Sequence, residues 1–146
     1  MADPLSVGAS VIAFVQIADR LIGVCKYWIE TIKDAPKEMQ MILGEATSLK
    51  AIMESLKEAK LHPSTVTYVP SLFKASGPVE ACRRCLTGLE NLLPSEAKLL
   101  SLHDQRRGIG FTELAWPLKE SRARKFLAEI SYHKATLLLA ITGDIR

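Results

Sequence analysis

Seven residues near the amino terminus, Val7, Val11, Phe14, Ala18, Leu21, Cys25 and Trp28, follow one another at steps of 4, 3, 4, 3, 4 and 3. That rhythm is one face of a single long helix; a strand face repeats every second residue instead. From Leu5 to Ala18 the chain carries no charge. This first half is apolar on nearly every side and rich in small residues, Gly8, Ala9, Ser10 and Ala13. Such a helix is expected to lie inside a bundle, surrounded by other helices, or to enter a membrane. The two expectations are compatible if the helix is sheltered at rest and released on activation. The inserting residues are then Leu5, Val7, Gly8, Val11, Ile12, Phe14 and Val15. Burial of several such side chains, at about 1.5–3 kcal/mol each, suffices to drive the exchange.

The rest of the chain supplies the shelter. Asp34-Ala35-Pro36 opens a second helix in which Met39, Ile42, Leu43, Ala46, Leu49, Ile52, Met53 and Leu56 form an apolar stripe. Glu38, Glu45, Lys50, Glu54, Lys57 and Glu58 occupy its other side. Residues 62–77 read as a connector, with Leu72 and Phe73 tucked against the bundle. Gly77-Pro78 starts a third helix carrying Val79, Cys82, Leu86, Leu89, Leu92 and Leu93. Pro94 ends it, and a shorter helical piece with Leu99, Leu100 and Leu102 follows. Trp116-Pro117 opens the last helix, with Leu118 its first secure residue. Phe126, Leu127, Ile130, Leu137, Leu138 and Ile141 line one side of it, and Gly143 stops it. The core anchors are Leu49, Ile52, Leu56, Trp116, Phe126, Leu127, Ile130 and Leu137. The reading is an all-α helical bundle of four long helices plus one or two short ones, with the N-terminal helix central and largely buried. At 146 residues it is one domain, residues 1–146.

Composition excludes several functions. The net charge of +3 is small, and residues 1–60 hold 7 basic against 8 acidic groups, so the excess lies in the remainder. This permits a preference for anionic lipid and demands no nucleic acid. No basic run interleaved with aromatics offers base stacking. Three cysteines and no secretory signal point to a reducing, cytosolic compartment. The uncharged run is shorter than the roughly 20 residues of a spanning helix, so the N-terminus is not expected to be a constitutive anchor. Cys82-Arg83-Arg84-Cys85 has the spacing of half a zinc site, but no second pair exists, and the two residues read as ordinary thiols on one helix face. Gly108-Ile109-Gly110 lacks the third glycine, strand and lysine of a phosphate loop. Ser, His and Asp occur without any pattern that brings them together, and His133-Lys134 reads as a surface or core-edge pair. No enzyme activity, metal or cofactor is expected. Tyr27-Trp28 is expected to cover an end of the core, with a membrane-interface pair as the other reading.

Four segments together resemble a known family. They are Asp3-Pro4-Leu5-Ser6-Val7-Gly8-Ala9-Ser10-Val11-Ile12-Ala13; Lys33-Asp34-Ala35-Pro36-Lys37-Glu38 with the Leu49 region; Leu114-Ala115-Trp116-Pro117-Leu118-Lys119-Glu120; and His133-Lys134-Ala135-Thr136-Leu137 with Leu139-Ala140. In order and spacing they resemble the fungal HeLo-like or SesA-type domains found at the N-terminus of NOD-like (NACHT/STAND) receptors. The resemblance implies a helical bundle that serves as a cell-death effector or signalling module in heterokaryon incompatibility and innate immunity. It implies exposure of the first helix, self-association and permeabilisation of the plasma membrane. It also implies downstream NTPase and repeat domains as partners, and movement from the cytoplasm to the plasma membrane. It carries over Leu5 to Phe14 as the membrane-active segment and no catalytic residue. Asp19 and Arg20 interrupt the apolar helix early, so shallow insertion or an oligomeric pore is expected. A bundle that only binds proteins is the alternative.

Overall fold

A computed structural model describes residues 4–31, 35–59, 72–74, 76–93 and 116–142, with side chains at 8–31, 35–57, 72–74, 76–93 and 119–140. Four helices account for most of them: α1 (Pro4–Thr31), α2 (Lys37–Ala59), α3 (Pro78–Leu92) and α4 (Trp116–Thr142). No strand occurs among the described residues. The chain is an all-α helical bundle. The short helical piece expected near Leu99, the cap Asp34 and the stop Gly143 lie outside the described residues.

Local chemistry sets the ends. Pro4 stands first in α1, where its missing N–H is not needed. Before α2 the Met39 N–H donates to the Pro36 carbonyl at 3.0 Å, closing the entry turn. Glu38 follows in the first turn, where a carboxylate opposes the positive end of the helix. Gly77 caps α3 in an extended conformation, with Pro78 next. α4 begins at Trp116, two residues before the expected Leu118, because a proline in the first turn breaks no helical hydrogen bond.

Cross-helix pairs fix the directions. Asp19 of α1 meets Lys50 of α2, at 2.7 Å, across a short connection, so these helices run antiparallel. Glu38 and Glu45 of α2 meet Arg124 and Lys134 of α4 in that order, so α2 and α4 run parallel. Cys85 and Gly88 of α3 meet Glu129 and Phe126 of α4 in reverse order, so that pair is antiparallel. α1 and α3 are therefore parallel, joined by Arg20 and Glu90 at 2.9 Å. The helices form a ring in the order α1, α2, α4, α3, built from an α1–α2 hairpin laid against an α3–α4 hairpin.

One continuous core fills the ring. Val11, Phe14, Ala18, Leu21, Cys25 and Trp28 are all buried, as are Leu49, Ile52 and Leu56 on α2 and Leu127, Ile130 and Leu137 on α4. Phe126 is half-buried against the core, and the Trp116 side chain lies outside the described residues. Leu72 and Phe73 are buried as expected. Leu138 differs: it is 43% exposed, because the inward stripe of α4 runs through Ala123, Leu127, Ile130 and Leu137 and leaves Leu138 off its edge.

Among the described residues α1 is covered along one stripe and not on every side. In a four-member ring each helix has two neighbours and one outward side. α1 packs on α2 and α3 and stands at a corner, so it is buried along one stripe and open along another. Small and uncharged residues made its first half look apolar all round. In the folded chain Ala9, Ile12 and Ala13 face out.

Candidate functional site

The inward stripe of α1 repeats every 3.5 residues, and the opposite stripe follows from the same period. It carries Ala9, Ile12, Ala13 and Gln16, all exposed, with Gly8, Val15 and Ile17 half-buried beside them. No charge appears on this face before Asp19 and Arg20. Ile12, 54% exposed, is the large aliphatic side chain on this open stripe.

The structure therefore divides the seven residues expected to insert. Val11 and Phe14 point inward and are covered by the bundle. Ile12 points outward, and Gly8 and Val15 lie at the border. The side chains of Leu5 and Val7 lie outside the described residues. Ala9 and Ala13, noted in the sequence only as small residues of the Leu5–Phe14 segment, complete the outward face together with Gln16, which was not singled out. Their signal was present, since Ala9 and Gln16 sit three and four residues from Ile12 and Ala13 sits four from Ala9, but small size and a neutral amide do not by themselves mark an outward face.

Residues Gly8–Thr31 form a 24-residue helical segment whose most apolar 18 residues have a mean hydropathy of 1.5, long and apolar enough by length and composition alone to cross a membrane. This extends the uncharged run noted in the sequence, because Asp19 and Arg20 are tolerated within the longer window. Of those 18 residues 28% are buried, the single inward stripe of an amphipathic helix. Trp28 is fully buried and Tyr27 packs beside the core, so this pair belongs to the bundle interior in the folded state.

Beyond the apolar face, Asp19 and Arg20 clasp α1 from both sides. Asp19 holds Lys50 of α2, and Arg20 forms a two-pronged bond to Glu90 of α3 at 2.9 and 3.3 Å. These groups are largely solvated, so each pair contributes no more than about 1 kcal/mol and sets register more than strength.

The second polar feature lies between α2, α3 and α4. Lys134 meets Glu45 at 2.8 Å, both about three-quarters buried. The other carboxylate oxygen of Glu45, Oε2, is buried without a hydrogen-bond partner. Cys82 is buried close by, and burial pushes its thiol up to about 12, with the Glu45 charge adding to the rise and Lys134 opposing it. Burial likewise raises Cys85 to about 12, reinforced by its hydrogen bond to Glu129 at 3.3 Å. Thiols held this far into the protonated form are poor nucleophiles and poor metal ligands. Among the described residues no three His, Cys, Asp or Glu side chains converge on a point that could hold a metal ion.

A groove of about 430 Å³ runs between α2 and α4, lined by Met41, Gly44, Glu45, Arg124, Leu127, Ala128 and Ser131. The orphaned Glu45 oxygen is sealed from solvent, so the groove presents no free charged acceptor from that residue. Arg124 at its edge is already paired with Glu38 and Glu120. Among the described residues the groove brings together no nucleophile with a base. Large apolar side chains are exposed at Ile12 on α1, at Met41 on α2 and at Tyr132, Leu138 and Leu139 on α4; on α1 the exposed face around Ile12 is also free of charge.

Comparison with known protein families, with curated proteins and with solved structures finds no match for this chain.

Proposed function

We propose that this chain is a membrane-active effector domain of the cell-death class, acting through its first helix. The observation that carries the reading is the uncharged outward face of α1, Ala9, Ile12, Ala13 and Gln16, at the start of a segment apolar enough to enter lipid. The resemblance to HeLo-like domains of NOD-like receptors supports the same reading.

In this mechanism the folded bundle first touches a membrane with Ile12 and the two alanines. That contact alone is weak, since only Ile12 offers a large side chain, worth about 1.5–3 kcal/mol. Stable insertion needs Val11 and Phe14 as well, and these leave the core only when α1 is released. Exposed apolar faces then drive self-association, and an oligomer shields Asp19 and Arg20 from lipid. Partners are anionic lipids, further copies of the chain, and the NTPase and repeat domains of a larger receptor. The site of action is the plasma membrane, reached from the cytoplasm. The face is not catalytic, and no cofactor enters.

The test is co-sedimentation with vesicles of mixed zwitterionic and anionic phospholipid. Wild type is expected to bind, and Ile12→Asp, which leaves the core untouched, to lose binding while keeping its helical circular dichroism. Equal binding by both proteins contradicts the reading.

The small residues beside Ile12 favour a second reading, a protein-interaction module in which this face accepts another helix. That module self-associates or captures a protein partner at the same face and ignores vesicles.

A further inference from the structure

The ring of helices has four seams, and they are unequal. The α1–α2 pairing is the most extensive, α3–α4 comes next, α2–α4 is smaller, and α1–α3 is the smallest. Peeling α1 away alone breaks the largest pairing together with the smallest. Parting the two hairpins breaks only the two smaller ones.

The chemistry of the seams points the same way. Among the described residues, three ion pairs cross from hairpin to hairpin: Arg20–Glu90, Arg124–Glu38 and Lys134–Glu45. Charged groups regain water when separated, so their loss is largely compensated. The Glu45 Oε2 atom, buried and without a partner, sits at this junction. A buried acceptor left unsatisfied carries a penalty that hydration removes. Within the second hairpin, by contrast, the Phe126 ring covers Gly88 and Cys85 bonds Glu129.

We propose that the bundle opens along the seam between the α1–α2 and α3–α4 hairpins, so that α1 is uncovered together with α2 and does not leave alone. This opening is a property of the folded chain and does not depend on the membrane reading. Where both hold, the apolar stripe of α1 reaches lipid carried on a helical hairpin.

Two cross-links decide it. Cysteines at Asp19→Cys and Lys50→Cys, joined by a short bis-maleimide, tie α1 to α2. Cysteines at Arg20→Cys and Glu90→Cys, joined in the same way, tie α1 to α3 across the seam. Each linked protein is compared with its unlinked double-cysteine parent. The readout is the labelling rate of Cys25 and Cys82, two of the three buried native thiols, in solution without lipid and below the unfolding transition, by iodoacetamide and peptide mass, with the engineered cysteines of the unlinked parent first capped by N-ethylmaleimide. Hairpin separation predicts that the α1–α2 link changes both rates by less than about twofold, whereas the α1–α3 link slows both by about tenfold or more. If the α1–α2 link slows labelling as strongly as the α1–α3 link, α1 leaves alone and the proposal fails. If neither link alters the rates, the thiols are reached by another motion and the proposal fails equally. Vesicle binding by the unlinked protein is measured separately, so failure of the membrane reading is not confused with failure of this one.

Discussion

The ring of Phe126 lies over Gly88 so closely that a Cβ at that position overlaps the ring. Within a helix, glycine is about 1 kcal/mol less favourable than alanine, so Gly→Ala ordinarily stabilises. Gly44, in α2, has nothing within 4 Å of where a Cβ would stand. Opposite outcomes are therefore expected from one substitution. Gly44→Ala raises stability by about 0.5–1 kcal/mol. Gly88→Ala displaces the Phe126 ring and lowers stability by about 1 kcal/mol net. Adding Phe126→Leu to Gly88→Ala recovers part of that loss. Urea unfolding followed by circular dichroism measures all four proteins.

Two residues of the N-terminal helix separate folding from surface chemistry. Phe14 is fully buried and Ile12 is 54% exposed. Phe14→Ala is expected to lose about 3–5 kcal/mol through lost burial and the cavity left behind. Ile12→Ser is expected to stay within about 0.5 kcal/mol of wild type. Thermal unfolding of the two variants reads the difference directly.

Lys134 and Glu45 form a mostly buried pair in which one carboxylate oxygen has no partner. Removing only the cation, by Lys134→Met, leaves a charge stranded and lowers stability by about 2–4 kcal/mol. Replacing both, Glu45→Leu with Lys134→Met, removes the stranded oxygen too. The double variant is expected to equal or exceed wild type. A double-mutant cycle from urea midpoints gives the coupling.

Alkaline pH acts through the buried thiols. Burial holds Cys82 near 12 in the folded chain, against about 8.5 for a free thiol in the unfolded one. A group raised on folding lends stability that is complete below its unfolded value and lost as pH climbs toward the folded value. Stability is thus expected to fall above about pH 9, by up to about 1.4 kcal/mol per pH unit from this one group. Cys82→Ala flattens that fall relative to wild type, while both proteins keep constant thiol-dependent stability between pH 6 and 8. Denaturant titrations at pH 8 and pH 10 test the slope.

Much of the fold was legible because helical period is a strong signal. The stripe from Val11 to Trp28, the α2 stripe from Met39 to Leu56 and the α3 stripe from Val79 to Leu93 all turn inward. The position of α1 in the ring was not legible. A helix rich in Ala, Gly and Ser looks equally apolar whether it has two neighbours or three, and Ile12 differs from Val11 only in the direction it faces. Leu138 misled for a related reason, since it lies next to the stripe of Leu127, Ile130 and Leu137 and shares its chemistry. The Glu45–Lys134 contact joins residues 89 apart in sequence, and neither spacing nor composition announces such a pair. The Gly88–Phe126 contact was hidden too, because a glycine inside a helix reads as a weakness until its neighbour is seen.

Release of carboxyfluorescein from anionic vesicles tests the proposed role most directly. Wild type and Ile12→Asp are compared at matched concentration, after circular dichroism has established that both are folded. The membrane-effector account predicts dye release by wild type and a loss of about tenfold or more in Ile12→Asp, the penalty of placing a carboxylate in lipid. Equal release by the two proteins, or none by wild type at any lipid charge, contradicts it.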